Sequence, residues 1–210
     1  MLARLQRGLE ALYRIDTNVR VDDFVIDDDA RRQLGAKRAP REQLFIDEST
    51  DEIGIGLFVD SSSLKNLEQN DPTDGLHPGN MQDFLFAVEG VSHFVYLVWR
   101  AGADRQVSAL ELELQAEVDK YVTCLLSGKG DASHSDRLRK RLFRDFDYEP
   151  DLDPEERDRY KVANSNADAY SRSLEKRFVR QRRTCDMLGE LRRFYRMSLA
   201  AKLDFIRSAA

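Results

Sequence analysis

The stretch FLFAVEGVSHFVYLVWR, from Phe84 to Arg100, is the most apolar part of the chain and constrains the fold more than any other segment. A chain carrying it needs a core that takes these side chains out of water. Yet Glu89 and His93 sit in its middle, four residues apart. On a helix this spacing puts an acid and an imidazole on one face, one turn apart. Two explanations stand side by side: a metal or proton-transfer site, or a polar pair satisfied inside a core. The run is interrupted by Glu, Gly, Ser and His and is shorter than a bilayer requires, so it reads as a core element with no membrane role.

The alternative to a helix here is a hairpin of HFVYLVWR and SALELEL across AGADRQ, since aromatic and β-branched residues crowd the first half. The second half decides for helices over 81–101 and 105–126. Leu110, Leu114, Val118, Val122 and Leu125 recur at three- and four-residue steps, which is helical period. Strand period appears upstream. REQLFID (41–47) and EIGIGLFVD (52–60) flank the polar turn ESTD, and RVDDFVID (20–27) supplies a further strand, which together predict a small antiparallel sheet. SSSLKNLEQN (61–70) reads as a short helix capped by Ser62 or Ser63. Asp74 and His77, in the Pro- and Gly-rich loop 71–80, are turn residues that also stand near enough to the apolar helix in sequence to add a ligand.

Charge divides the chain. Residues 1–130 hold 14 Lys/Arg against 23 Asp/Glu, and residues 131–210 hold 19 against 15. The sign changes at SGKGDASHSD (127–136), a loop by composition. The expected organisation is an α+β core over 1–130, with the small sheet and two long helices, followed by a helical, basic segment over 131–210. The fold class is α+β, mostly α. In the second segment Asp153-Pro154 starts a helix in a favoured way, and Leu188, Leu191, Tyr195, Leu199, Leu203 and Ile206 form one apolar stripe. Gly189 or the arginines before it mark a bend. At the other end, MLARLQRGLEALYR has leucines at 2, 5, 9 and 12 and reads as a packed helix, not a secretory signal. The two cysteines, Cys124 and Cys185, are far apart, which excludes a cysteine zinc site and points to a reducing, cytoplasmic setting.

The helix after the apolar run offers Glu113 and Glu117, again one turn apart, with Glu111 and Asp119 nearby. Carboxylate and imidazole are the donors a divalent zinc, iron or manganese ion takes, and helical pairs fix their geometry. A small sheet, a helix with spaced ligands and a helix with a downstream glutamate resembles the core of the zincin metallopeptidases. In that resemblance EGVSH places Glu89 and His93 where the two histidines of His-Glu-x-x-His stand, and Glu113 or Glu117 is the downstream ligand. Gly90 stands where the catalytic glutamate would be. The resemblance therefore implies a held metal without the general base of peptide hydrolysis. A di-metal carboxylate bundle would need a Glu-x-x-His spacing that the chain lacks.

Residues 172–196 carry nine Lys/Arg against three Asp/Glu. Such a face contacts phosphates, and Phe178, Phe194 and Tyr195 stack on bases if they are exposed. These aromatics coincide with the apolar stripe, so core packing explains them better. The overall charge of −5 also argues against a nucleic-acid coat. RYKVANSNADAY (159–170) places Asn164 and Asp168 one turn apart, for a buried polar network or an interface. No nucleophile–base pair, phosphate loop or dinucleotide fingerprint is present. The reading is a non-catalytic cytoplasmic accessory or adaptor protein. It contacts a protein partner, or itself, through Arg172, Lys176, Arg177, Arg180, Arg182 and Arg183. The alternatives are a zincin-like metal-binding protein using Glu89, His93 and Glu113 or Glu117, and nucleic-acid binding through 172–196.

Overall fold

The computed structural model describes residues 1–35, 40–47, 54–128, 131–145 and 152–209. The fold is α+β and mostly α, with a small three-stranded sheet packed on helices and a helical C-terminal part. Two compact units are present: Met1–Glu10 with Ile15–Arg105, and Ala11–Arg14 with Gln106–Ala210. The packing boundary at Arg105 thus precedes the change of charge sign near residue 130.

In the first unit, helix α1 (Leu2–Tyr13) buries Leu2, Gln6 and Leu9. Gln6 donates to Thr17 Oγ1 at 2.9 Å and to the Val19 carbonyl at 2.7 Å, and accepts from the Val21 amide at 2.8 Å. One buried amide thereby holds the returning chain. Residues 21–24 then form a 3-10 turn with Val21 buried, so only Val25–Ile26 remain extended as β1. The chain continues through α2 (Asp28–Gln33) to β2 (Glu42–Asp47) and β3 (Gly54–Val59).

The expected antiparallel sheet is in fact mixed. β3 is central; β2 pairs with it antiparallel, from Glu42↔Val59 to Asp47↔Gly54, whereas β1 pairs with its other edge in parallel. The reason is connectivity: α2 and β2 intervene between β1 and β3, so β1 arrives by a crossover and not by a hairpin. The turn expected over 48–51, and Ile53, lie outside the described residues. Helix α3 (Ser61–Gln69) is capped by Asp60, which accepts from the Ser62 and Ser63 amides at 2.9 and 3.2 Å. Neither serine caps it, because the side chain just before the first helical residue is the one aimed at the free amides.

Buried Asn80 organises the loop before the apolar helix. It accepts from the His77 amide at 2.9 Å and donates to the carbonyls of Asn70 and Gly75 at 3.1 and 3.0 Å. Helix α4 (Met81–Ala101) follows, 21 residues long. By length and composition it can cross a membrane, which the apolar run alone did not suggest, but 72% of its most apolar window is buried within the protein. It packs on β2 and β3, with Phe94 against Phe24 at 5.0 Å between ring centroids. Gly90 is where helix and sheet come closest: a Cβ there would lie 3.0 Å from both Leu57 Cδ1 and Glu42 Oε2.

The second unit is helical among the described residues: α5 (Ala109–Ser127), α6 (Ala132–Phe143), α7 (Pro154–Leu174), α8 (Thr184–Arg196) and α9 (Leu199–Ala209). Residues 109–127 being one helix removes the hairpin alternative. Pro154 does open α7, and Asp153 with Glu156 completes a capping box. The bend falls at the arginines, where a π-helical turn (Glu175–Val179) ends α7 and Arg182 takes a positive φ of 56°. Gly189 lies inside α8. Arg192 and Arg196 donate to the last carbonyls of α1, those of Leu12 (2.8 Å), Tyr13 (3.0 Å) and Arg14 (3.0 Å), which otherwise end the helix unbonded. The Tyr13 ring stacks on Tyr195 at 3.8 Å, and Tyr170 on Phe194 at 4.1 Å.

At the centre of this unit lies Lys202, with no exposed surface. Its ammonium donates to Gln115 Oε1 at 2.8 Å and stands 4.0 Å from Glu111. Gln115 in turn donates to Asp119 at 2.9 Å, and the Tyr13 hydroxyl donates to the same carboxylate. Burial, then the Asp119 charge, pushes the Tyr13 phenol well above its ordinary range, so it remains a neutral donor. Removing the ammonium leaves buried acceptors without their cation. Lys202→Ala is therefore expected to destabilise the second unit by about 3–5 kcal/mol in denaturant unfolding; a loss below ~1 kcal/mol contradicts this role.

Candidate functional site

Two regions can support chemistry or binding, one in each unit. The first is the α4 pair. His93 is buried and Glu89 is half-buried, and a carboxylate oxygen of Glu89 lies within 4.8 Å of a ring nitrogen of His93. Sequence reasoning missed a third member, Glu42 of β2, whose Oε1 is 3.7 Å from His93 Nδ1. The signal was present in REQLFID, where an acid precedes the apolar positions of a strand. That separation is an ion-pair contact, longer than a hydrogen bond, and places an acid beside the imidazole. The same carboxylate abuts Gly90, so this position of α4 is taken up by helix–sheet contact.

Glu113 and Glu117 belong to the second unit, where each has a cation of that unit beside it. Arg159 Nε is 4.0 Å from Glu113, and the Lys120 ammonium is 2.8 Å from Glu117. His77 lies in the loop before α4 and accepts from the Gly79 amide at 3.1 Å, a turn role. His134 sits in the first turn of α6 with its Nε2 3.3 Å from the Cys124 carbonyl. Burial pushes the Cys124 thiol up to about 12, which leaves no thiolate for nucleophilic work near neutrality.

The second region is the basic stretch, and its organising residue is Glu175, at the start of the π-helical turn and buried. Its carboxylate accepts from Arg139 (3.0 Å), Arg180 (2.7 Å) and Ser135 (2.9 Å). Burial raises its pKa, but the bonds from Arg180, Ser135 and Arg139 outweigh this and hold it below the ordinary value. Asp168, one turn of α7 from Asn164, accepts from Arg139 and Arg172 at 2.9 Å each. Buried Glu190 accepts from Arg177, and Asp186 accepts from Arg183 at 2.8 Å. Four of the six residues singled out as a contact surface are thus anchored by acids of the same unit. Lys176 and Arg182 are exposed, with no ion pair among the described residues.

Anchoring does not hide these cations: the Arg172, Arg180 and Arg183 side chains remain 57%, 63% and 54% exposed, whereas Glu175 and Glu190 are each 2% exposed. Glu175 and Glu190 face inward and Asp168 is largely covered, whereas Asp186, the partner of Arg183, is itself 54% exposed. Phe178, Phe194 and Tyr195 are buried, and the Phe178 ring already lies against the Arg177 and Arg183 guanidiniums, 4.7 and 5.9 Å from its centroid, so none of the three is offered to bases. A groove of about 350 Å³ opens along α7, bordered by Arg172 and Lys176. No protein family, curated protein or solved structure matches this chain.

The depressed Glu175 pKa fixes a pH dependence. A carboxyl held lower in the folded state adds stability that is complete above its ordinary value of 4.5 and is lost as pH falls through the folded value. Acid titration of the second unit's stability should show this limb below pH 4.5, and Glu175→Gln should flatten it. An unchanged acid limb in Glu175→Gln contradicts the assignment.

Proposed function

We propose that the protein is a non-catalytic, cytoplasmic accessory protein that binds another protein through the basic face of its second unit. The observation that carries this reading is the outward orientation of Arg172, Arg177 and Arg180 on the covered acids Asp168, Glu190 and Glu175, with Lys176, Arg182 and the surface pair Arg183–Asp186 exposed beside them. Guanidiniums already held in place lose little freedom when they meet an acidic partner, which lowers the cost of association. Fixed charges of one sign also speed encounter with a partner of the opposite sign.

Affinity capture from lysate tests it, comparing the wild type with Lys176→Glu/Arg182→Glu. Neither residue forms an ion pair among the described residues, so the double variant is expected to keep its unfolding midpoint. The wild type is expected to retain a protein that rising salt releases, and the variant to lose it. Equal capture by both, or retention only of nucleic acid, contradicts the reading.

A second reading has its own observation: the Glu89 carboxylate and the His93 imidazole stand one turn apart, and Glu42 lies at Nδ1. It makes the first unit a site for a zinc, iron or manganese ion, with Glu89 and His93 as donors and Glu42 as the acid beside the ring. Elemental analysis of the purified protein should then give stoichiometric metal that is lost in His93→Ala and reduced in Glu42→Gln. Metal-free protein after reconstitution with each ion ends this reading.

A further inference from the structure

The groove beside α7 narrows the class of partner. We infer that it receives an extended, Asp/Glu-rich segment of a protein; this rests on the basic-face reading above. The groove is walled by Ser165, Asp168, Ala169, Arg172, Ser173 and Lys176, with the end of α9 on its other side. From Ser165 to Lys176 the helix rises about 16 Å, which matches about five residues of extended chain.

The charges suit carboxylates. Arg172 gives one N–H to Asp168 at 2.9 Å and keeps others of its planar fork for a ligand. Lys176 adds an exposed ammonium one turn further on. The acid in the wall, Asp168, is compensated by Arg139 at 2.9 Å and Arg144 at 3.6 Å as well as by Arg172, so the field in the groove is positive. The exposed Ser165 hydroxyl can bond an extended main chain, and Ala169 leaves room for it.

The same features count against a phosphate. Phosphate sites draw on free amides at helix N-termini. This groove runs beside the C-terminal half of α7, where the amides are bonded within the helix; the partial negative charge of that end opposes any anion, and a dianion more than a single carboxylate. Singly charged carboxylates spaced along a strand fit better than one dianion.

The test uses the full chain and a fluorescein-labelled hexapeptide of alternating Asp and Glu, followed by fluorescence anisotropy. Saturable binding that weakens with salt is expected. Lys176→Glu should lower affinity by ~10-fold or more, the loss of a charge contact with reversal. Ala169→Leu fills the groove without changing charge and should do the same; Ser165→Tyr, at an exposed position, replaces it if the leucine variant does not fold by circular dichroism. Arg182→Glu, outside the groove, should change affinity by less than ~3-fold. Equal losses in Lys176→Glu and Arg182→Glu with both groove-filling variants silent overturn the groove while leaving the basic face standing. Absence of peptide binding, or displacement of the peptide by equimolar inorganic phosphate or oligouridylate, also overturns it, and lysate capture then judges the basic face separately.

Discussion

A carboxylate buried at the end of a helix is costly unless cations come to it, and Glu175 meets that demand with Arg139, Arg180 and the Ser135 hydroxyl. The geometry of the second unit's surface follows from this requirement. The π-helical turn brings Glu175 inward and redirects the chain, Arg182 takes a left-handed conformation, and α8 starts in a new direction. Glu190 holds Arg177 in the same way. Arg177 and Arg180 are therefore ordered by interior acids, while parts of their side chains reach solvent. A basic face built like this is both structural and available, which a count of charges does not reveal.

The buried polar residues of the second unit obey the same rule. Lys202 is fully enclosed, yet it bonds Gln115 and stands near Glu111, and Gln115 and Tyr13 converge on Asp119. With its phenol kept protonated by burial and by Asp119, Tyr13 serves as a donor that also ties the end of α1 into this unit. Its members are buried, and its chemistry is that of hydrogen-bonded polar groups in a packed interior. Such networks specify one arrangement of helices where apolar packing alone would allow several.

Much of the fold was legible in the sequence because periodicity is a local signal. The steps of four in 109–127, the alternation in 54–59 and Asp153-Pro154 each reported their element directly. What failed depended on distant residues. RVDDFVID reads as a strand, but Val21 is drawn inward and the pairing partner, β3, comes from beyond β2, so half of the segment becomes a 3-10 turn and the sheet becomes mixed. The cap of α3 was misplaced by two or three residues, from Asp60 to Ser62 or Ser63, since Asp60 also belongs to the strand pattern. At the candidate sites, Glu89 and His93 were visible as an oddity in an apolar run, but Glu42 was not, because a strand residue meets a helix residue only through the fold. Gly90, which sequence alone presents as a missing base, is explained by the approach of Leu57 and Glu42. The arginines were visible as a charge run; their buried acid anchors were not.

If a protein partner binds the surface around the π-helical turn as proposed, amide hydrogen–deuterium exchange of the captured complex against the isolated chain slows in residues 165–183, with the interior of α4 unchanged. Protection confined to other segments, with 165–183 exchanging as in the isolated chain, contradicts the proposal.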